Sequence, residues 1–396
     1  MTGLRTPDFD HYVCAEAIVG AELTGPTTLS ITWSDGRVDR HHPWMLRESA
    51  VDANTTAPIT RERFTDIGTW GDDIAPVSIA VDDGLVIEWT PDGLVGTYDR
   101  AWLRHVGSDD FRPSAVRPER QPWDASAGEP PTFDGPTYLV DDAALHEVLH
   151  TVAVHGLARL RGLPTERETV LDVGARIGVI RPTQFGPHFD VVSRADADSQ
   201  AYTADRLGLH MDIPTRETPA GLQLLHCQAN TTTGGESLLA DGLALAEHLR
   251  SHEPATFEAL TTHRWVWANR SRETDVRWSA PVIVLDSGGA FVETRFVNTL
   301  RLLPDMAHEH TDAAYKALRR FTQLAESPEF MIAFPFEPGD CVIFDNRRVL
   351  HGREAFDSAG GDRHLRGCYV DHDDLWSRLR MLARARRRQS VTTSST

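Results

Sequence analysis

Apolar and polar positions fall into two regimes along the chain. In the first hundred or so residues the period is mostly two. Leu29-Ser30-Ile31-Thr32-Trp33 alternates, and Ser34-Asp35-Gly36-Arg37 supplies a turn into the next strand. Leu85–Trp89 and Leu94–Tyr98 flank Thr90-Pro91-Asp92-Gly93 and predict a second hairpin. From Asp141 the period lengthens, so that Leu145, Val148, Leu149 and Val152 share one helical face. Beyond it come apolar runs of strand length, at Gln223–Cys227, Pro281–Leu285, Cys341–Phe344 and Gly367–Val370. Helical patterns at Gly242–Ser251, Pro254–Thr261 and Asp312–Ala325 separate some of them. Many short strands with few helices predict a mainly β chain with flanking helices, built as a double-sheet sandwich or jelly roll rather than a doubly wound sheet.

Ser108–Gly135 is rich in Pro, Gly, Ser and Asp and poor in aliphatics, the composition of a linker. The expected organisation is a small β-rich domain over residues 1–107, a linker over 108–135 and a larger domain over 136–388. The basic helix Leu375–Arg388 closes the larger domain, and residues 389–396 form a flexible tail. With 396 residues, 40% hydrophobic and 25% charged, the chain is long enough for a substantial core. A net charge of −18 opposes a phosphate backbone and argues against a nucleic-acid partner. No apolar run reaches membrane-spanning length, and Met1–Asp10 lacks the basic and apolar regions of a leader. Cys14, Cys227, Cys341 and Cys368 are scattered singly, which fits a reducing cytoplasm better than a disulfide framework.

Two metal-type motifs compete. His146-Glu147-Val148-Leu149-His150 is a literal HExxH that places two imidazoles on one helical face, with Glu147 as a base for zinc-dependent peptide hydrolysis. Its extended form is absent: Ala153 and Gly156 stand where a glycine and a third histidine would be, and chance matches arise easily among 18 histidines. The second motif is His210-Met211-Asp212 with His351 far downstream. Residues i and i+2 point the same way from a strand end, so both can reach one ion. Two histidines and a carboxylate on one face leave the opposite positions of an octahedron open, as non-haem Fe(II) chemistry requires. His351 follows the apolar run through Asp345-Asn346, and Arg363 opens the next strand, where a guanidinium can clamp a carboxylate. Arg366, an odd step away, should face the other side. His188, His226 and His364 are expected to satisfy local hydrogen bonds, Arg353 to pair with an acid, and Cys227, Cys341 and Cys368 to fill core space.

The stretch Leu209–Asp241, with Gly221–Cys227 and Thr233–Ser237 inside it, and after it Phe344–Arg353 and Arg363–Asp371, closely resemble the γ-butyrobetaine hydroxylase and trimethyllysine dioxygenase branch of the taurine-dioxygenase-like Fe(II)/2-oxoglutarate oxygenases. The resemblance implies a distorted double-stranded β-helix and hydroxylation of an unactivated C–H using Fe(II), 2-oxoglutarate and O2, with ascorbate as activator. It implies that His210, Asp212 and His351 ligate iron, that Arg363 holds the distal 2-oxoglutarate carboxylate, and that the Ser237 hydroxyl lies beside it. It also implies a homodimer acting on a small molecule.

Trp33–Gly36 and His42–Arg47 resemble the small N-terminal domain of that branch. Where a zinc-binding cysteine cluster begins there, this chain reads Glu48-Ser49-Ala50-Val51-Asp52-Ala53-Asn54, so no structural zinc is expected. The positions of the family's trimethylammonium cage read Phe185, Phe189, Tyr202 and Tyr369. The first two are Tyr and Trp in the animal enzyme; Ile213 replaces another tyrosine and Ser199 an asparagine. Each change removes cation attraction or a polar contact. The expected substrate is therefore a relatively apolar specialised metabolite, such as a terpenoid or modified amino acid, with γ-butyrobetaine as the alternative and zinc peptidase activity as a distant third.

Overall fold

A computed structural model of the chain describes residues 6–51, 54–108, 111, 117–184, 186–192, 203–270, 273–357 and 360–394. It divides into two compact units, one of Met1–Val116 with Arg384–Thr396, the other of Arg117–Ala383.

The first unit carries two three-stranded antiparallel sheets: Ile18–Gly25, Thr28–Trp33 and Val38–His41, then Pro76–Val81, Gly84–Trp89 and Val95–Asp99. Both hairpins thus form where alternation predicts them, because one face of each can be buried and the other left wet. Leu29, Ile31, Trp33, Leu85, Ile87 and Trp89 make the core. The indole N–H groups are satisfied inside it: Trp33 donates to Asp39 Oδ2 at 2.8 Å, and Trp89 to the Tyr98 hydroxyl at 3.0 Å. In the segment without cysteines, Ala50 and Val51 are buried, and Thr55 Oγ1 donates to Ala50 O at 2.7 Å.

The second unit is layered. A four-stranded sheet orders Leu207–His210, Val349–Arg353, Ser237–Asp241 and Met331–Phe334. A six-stranded sheet orders Thr132–Asp134, Leu157–Arg161, Cys341–Asp345, Leu222–Asn230, Arg363–Val370 and Phe189–Val192, antiparallel except for its first pair. The two pack through Leu239, Phe334, Val342, Phe344, Val349 and Leu365. Helices cover both outer faces: Asp142–His155, Thr169–Ile177 and the start of His372–Ser394 lie on the larger sheet, and Gly242–His252, Pro254–Thr262 and His308–Ala325 on the smaller. Burial on both faces explains why the central strands read as nearly continuous apolar runs. Each such fully buried Leu, Val or Phe contributes about 1.5–3 kcal/mol. Among the described residues, no helix is long and apolar enough to cross a membrane.

Two expectations about boundaries change. Much of the expected linker is structural: Thr132–Asp134 pairs with Leu157–Arg161, and Trp123 Nε1 donates to His155 O at 2.7 Å. Pro and Gly richness there marks irregular backbone rather than absent packing, and tryptophan anchors it. The expected tail over 389–396 begins inside a helix that continues to Ser394, with no Gly or Pro after His372 to stop it.

Arg348 holds the unit's centre. It grips Asp241 through two bonds of 2.9 and 2.8 Å and donates to Val154 O and Gln121 O at 2.7 and 2.6 Å. Both side chains are essentially inaccessible. Asp241→Ala should cost about 3–5 kcal/mol by urea unfolding, because a buried guanidinium loses its counter-charge. A loss of about 0–1 kcal/mol, that of an exposed ion pair, would contradict this placement.

Candidate active site

A cavity of about 930 Å³ is lined by both sheets and by the segments following Met211 and Phe296. His210 ends its strand directly across from His351, their ring centroids 4.2 Å apart. A register shift after Leu207 brings the pair into line. Asp212 turns back so that its Oδ1 lies 3.4 Å from His210 Nε2 and 3.8 Å from His351 Nε2. The three donor atoms fall within 4.8 Å of one another, and no other such cluster occurs among the described residues.

Hydrogen bonds fix which atoms face inward. His210 Nδ1 donates to Gly208 O at 3.0 Å, which turns Nε2 toward Asp212. Burial, then the neighbouring His210, push the His351 imidazole down to about 3, so it is neutral and free to ligate. Burial works to raise the Asp212 carboxyl. The His210 hydrogen bond, the two imidazoles and the Tyr369 hydroxyl outweigh it and hold the group well below the usual carboxylate range. Tyr369 donates to Asp212 Oδ2 at 2.7 Å, which leaves Oδ1 for the histidines' side.

Arg363 lies deeper in the same cavity, buried, with Nη2 at 3.5 Å from Gly235 O and its Nε without a partner. No acid pairs with it among the described residues. Burial, then repulsion by Arg353, bring it down to about 10, the signature of a cation awaiting an anion. Gly235 makes its seat possible: at φ +77° a side chain would be strained, and a Cβ would lie 3.1 Å from the Phe356 Cβ. Ser237, opposite Arg353 in the small sheet, also lines the cavity. Arg353 donates to Thr203 O and Asp205 O at 2.8 and 2.7 Å.

One wall is aromatic. Phe189 lies stacked on Tyr369 with centroids 5.1 Å apart. It spreads over Gly367, its partner across the strands, where a Cβ would come within 2.4 Å of the ring. Ile213 lies beside Asp212 and lines the cavity. Phe185, Ser199 and Tyr202 lie outside the described residues.

The competing motif stays apart. His146 is half-buried and Glu147 and His150 exposed on the helix Asp142–His155; the two rings lie 6.1 Å apart with no third ligand among the described residues. The apolar stripe Leu145, Val148, Leu149 and Val152 decides that helix's orientation and leaves the histidines at its edge. Arg366 does face away from Arg363, with Nη1 3.0 Å from Asp190, which also binds His364 Nε2 at 2.9 Å. His226 is fully buried, beside the Pro164 backbone.

Sequence reasoning misses three residues. Asn346 clamps the Asp212 backbone: its Oδ1 accepts from Asp212 N at 2.8 Å, and its Nδ2 donates to Asp212 O and Ala220 O at 3.0 and 3.1 Å. Arg295 braces the loop after Asp212. Gln223, between Phe344 and Tyr369 in the larger sheet, is buried at the cavity with Oε1 unpaired. Asn346 and Gln223 fall inside the motifs Phe344–Arg353 and Gly221–Cys227 but carry no sign there of their partners, and Arg295 falls in neither.

Three donors gathered on one side, beside a buried cation that pairs with no acid among the described residues, could hold a single metal ion as in the non-haem oxygenase class. The family model for "Taurine catabolism dioxygenase TauD, TfdA family" matches residues 115–369. The chain is 42% identical over 361 residues to γ-butyrobetaine dioxygenase of Pseudomonas sp. (strain AK-1), covering 90% of this chain and 94% of that one. It is 31% identical over 379 residues to the Homo sapiens γ-butyrobetaine dioxygenase (93% and 96% covered). It is 27% identical over 381 residues to the mitochondrial trimethyllysine dioxygenase of Gallus gallus (94% and 90% covered). The chain belongs to the TauD/TfdA dioxygenase family, in the branch of the γ-butyrobetaine and trimethyllysine dioxygenases.

Asn346→Ala should destabilise the protein by about 1–3 kcal/mol for each buried group it leaves unpaired, read by urea unfolding. It should also weaken divalent-metal binding by about 10–100-fold. Native stability and native metal affinity together would show that the clamp is dispensable.

Proposed function

We propose that this dioxygenase hydroxylates γ-butyrobetaine or a close trimethylammonium carboxylate. The observation that carries the reading is 42% identity to a γ-butyrobetaine dioxygenase over nearly the whole of both chains. This replaces the expectation of an apolar metabolite. That expectation weighed what Phe189 and Ile213 lack; the stacked Phe189–Tyr369 pair still presents aromatic faces to the cavity. A phenyl face attracts a cation that cannot donate hydrogen bonds, more weakly than an indole but in the same direction. A net charge of −18 favours a cationic partner over an anionic one.

His210, Asp212 and His351 hold Fe(II), and the packed sheets around them correspond to the family's double-stranded β-helix. Arg363 pairs with the distal carboxylate of 2-oxoglutarate, with the Ser237 hydroxyl beside it. The donor set fits: two imidazoles and a carboxylate converge on one point, and the buried guanidinium in the same cavity pairs with no acid among the described residues. When bound, iron and 2-oxoglutarate supply O2 activation coupled to decarboxylation to succinate and CO2, with one oxygen atom delivered to a substrate C–H. The chain supplies position and dryness. Tyr369 serves twice, orienting Asp212 through its hydroxyl and facing the cation with its ring. Leu225, Val191 and Leu365 keep the floor apolar and exclude water.

The test compares γ-butyrobetaine with 5,5-dimethylhexanoate, its uncharged carbon isostere at the trimethyl end, by product formation coupled to succinate release. A desolvated cation–π contact of about 2 kcal/mol predicts a preference for the cation of roughly 30-fold in kcat/KM. Phe189→Leu should shrink that preference. Equal turnover of the isostere would return the reading to an apolar substrate.

A further inference from the structure

Ile213 holds a backbone conformation that its sequence opposes. Its φ is +57°, where a β-branched residue is a rare outlier, and it precedes Pro214, which disfavours helical conformations for the residue before it. It directly follows Asp212, so its conformation sets the direction in which the chain leaves the carboxylate. Such a state persists only where the surroundings impose it.

The surroundings that impose it converge on one buried side chain. Arg295 donates from Nη1 to Pro214 O at 3.2 Å and to Arg216 O at 2.7 Å, and from Nη2 to Glu217 O at 2.6 Å. Three carbonyls of the turn after Ile213 are thus gathered on one planar guanidinium. Arg295 is itself anchored by Nε to buried Glu293, whose second oxygen accepts from Arg347 Nε at 2.6 Å. Its backbone N–H donates to Val282 O at 2.7 Å, and the next residue, Phe296, accepts from Met211 N at 2.9 Å. Arg347 lies four residues before His351. Both arms of the triad are therefore tied to the same brace, and none of its members contacts the donor atoms.

We propose that Arg295, anchored by Glu293, is a positioning residue: it holds Ile213 in its left-handed conformation and so aims the Asp212 carboxylate at the two histidines. This rests on the reading of His210, Asp212 and His351 as metal ligands. A lysine at 295 would keep the charge but cannot bind three carbonyls in one plane. Glycine at 213 would adopt positive φ freely and no longer need the brace.

The two substitutions should therefore be coupled. Co(II) binding to the metal-free full chain, followed by visible absorption without cosubstrate, reads the site apart from turnover. With Ile213 present, Arg295→Lys should weaken Co(II) binding about tenfold, as lost support of a ligand does. In an Ile213→Gly background the same change should cost less than about threefold. Glu293→Gln, which loosens the anchor without touching the turn, should show the same dependence on residue 213 and serves if Arg295→Lys melts early. Equal losses in both backgrounds, or no loss in either, would overturn the role of Arg295 while leaving the metal site intact. Failure of the unaltered chain to bind Co(II) would instead overturn the metal reading, and this inference with it.

Discussion

Asp212 keeps its negative charge at the wall of a cavity built largely from apolar strands, and much of the surrounding structure serves that requirement. A carboxylate there is stable only if its lone pairs and its backbone are all engaged. Tyr369 takes one oxygen, the two histidines face the other, and Asn346 closes on the amide and carbonyl of the same residue. Each partner comes from a different place in the fold: Tyr369 from the larger sheet, the histidines from paired strands of the smaller, and Asn346 from the turn between Asp345 and Val349. The sandwich is the means by which segments far apart in sequence meet around one acid.

The same strands grade the cavity from one chemistry to another. Along Arg363–Val370 the inward side chains are Arg363, Leu365 and Tyr369, with Gly367 left bare for the Phe189 ring. A cation therefore lies at one end, an aromatic face at the other and apolar surface between. A dicarboxylate cosubstrate and a cationic substrate would be drawn to opposite ends, where repulsion from the wrong end sorts them. The outward residues of that strand, His364 and Arg366, are spent on Asp190.

Much of this was legible in the sequence where a short-range rule governs it. Strand alternation marks the hairpins of the first unit, and His210-Met211-Asp212 marks a candidate ligand pair, although the strand ends at His210 and a turn carries Asp212 back. Parity separated Arg363 from Arg366. Residues whose partners lie far away in sequence were not legible. Asn346 reads as an ordinary turn residue until the loop holding Asp212 is brought against it, and Arg295 reads as one surface arginine among many. Trp123 lies in a Pro- and Gly-rich stretch whose composition signals a linker, although its indole is fixed to His155 O. The HExxH helix shows the converse error, a local pattern without the third ligand that only tertiary structure could bring. Taken singly, Phe189 and Ile213 point to an apolar pocket, whereas the stacking of Phe189 on Tyr369 is a property of the pair.

Anaerobic titration of the metal-free protein with Fe(II) and then 2-oxoglutarate, followed by visible absorption, tests the joint roles of the triad and Arg363 most directly. The unaltered chain should develop the weak charge-transfer band of 2-oxoglutarate chelated to iron. Arg363→Ala should need far more 2-oxoglutarate to reach it, and His351→Ala should lose it. A band that never forms in the unaltered chain, or persists undiminished in His351→Ala, would contradict the assignment of this cavity as an iron and 2-oxoglutarate site.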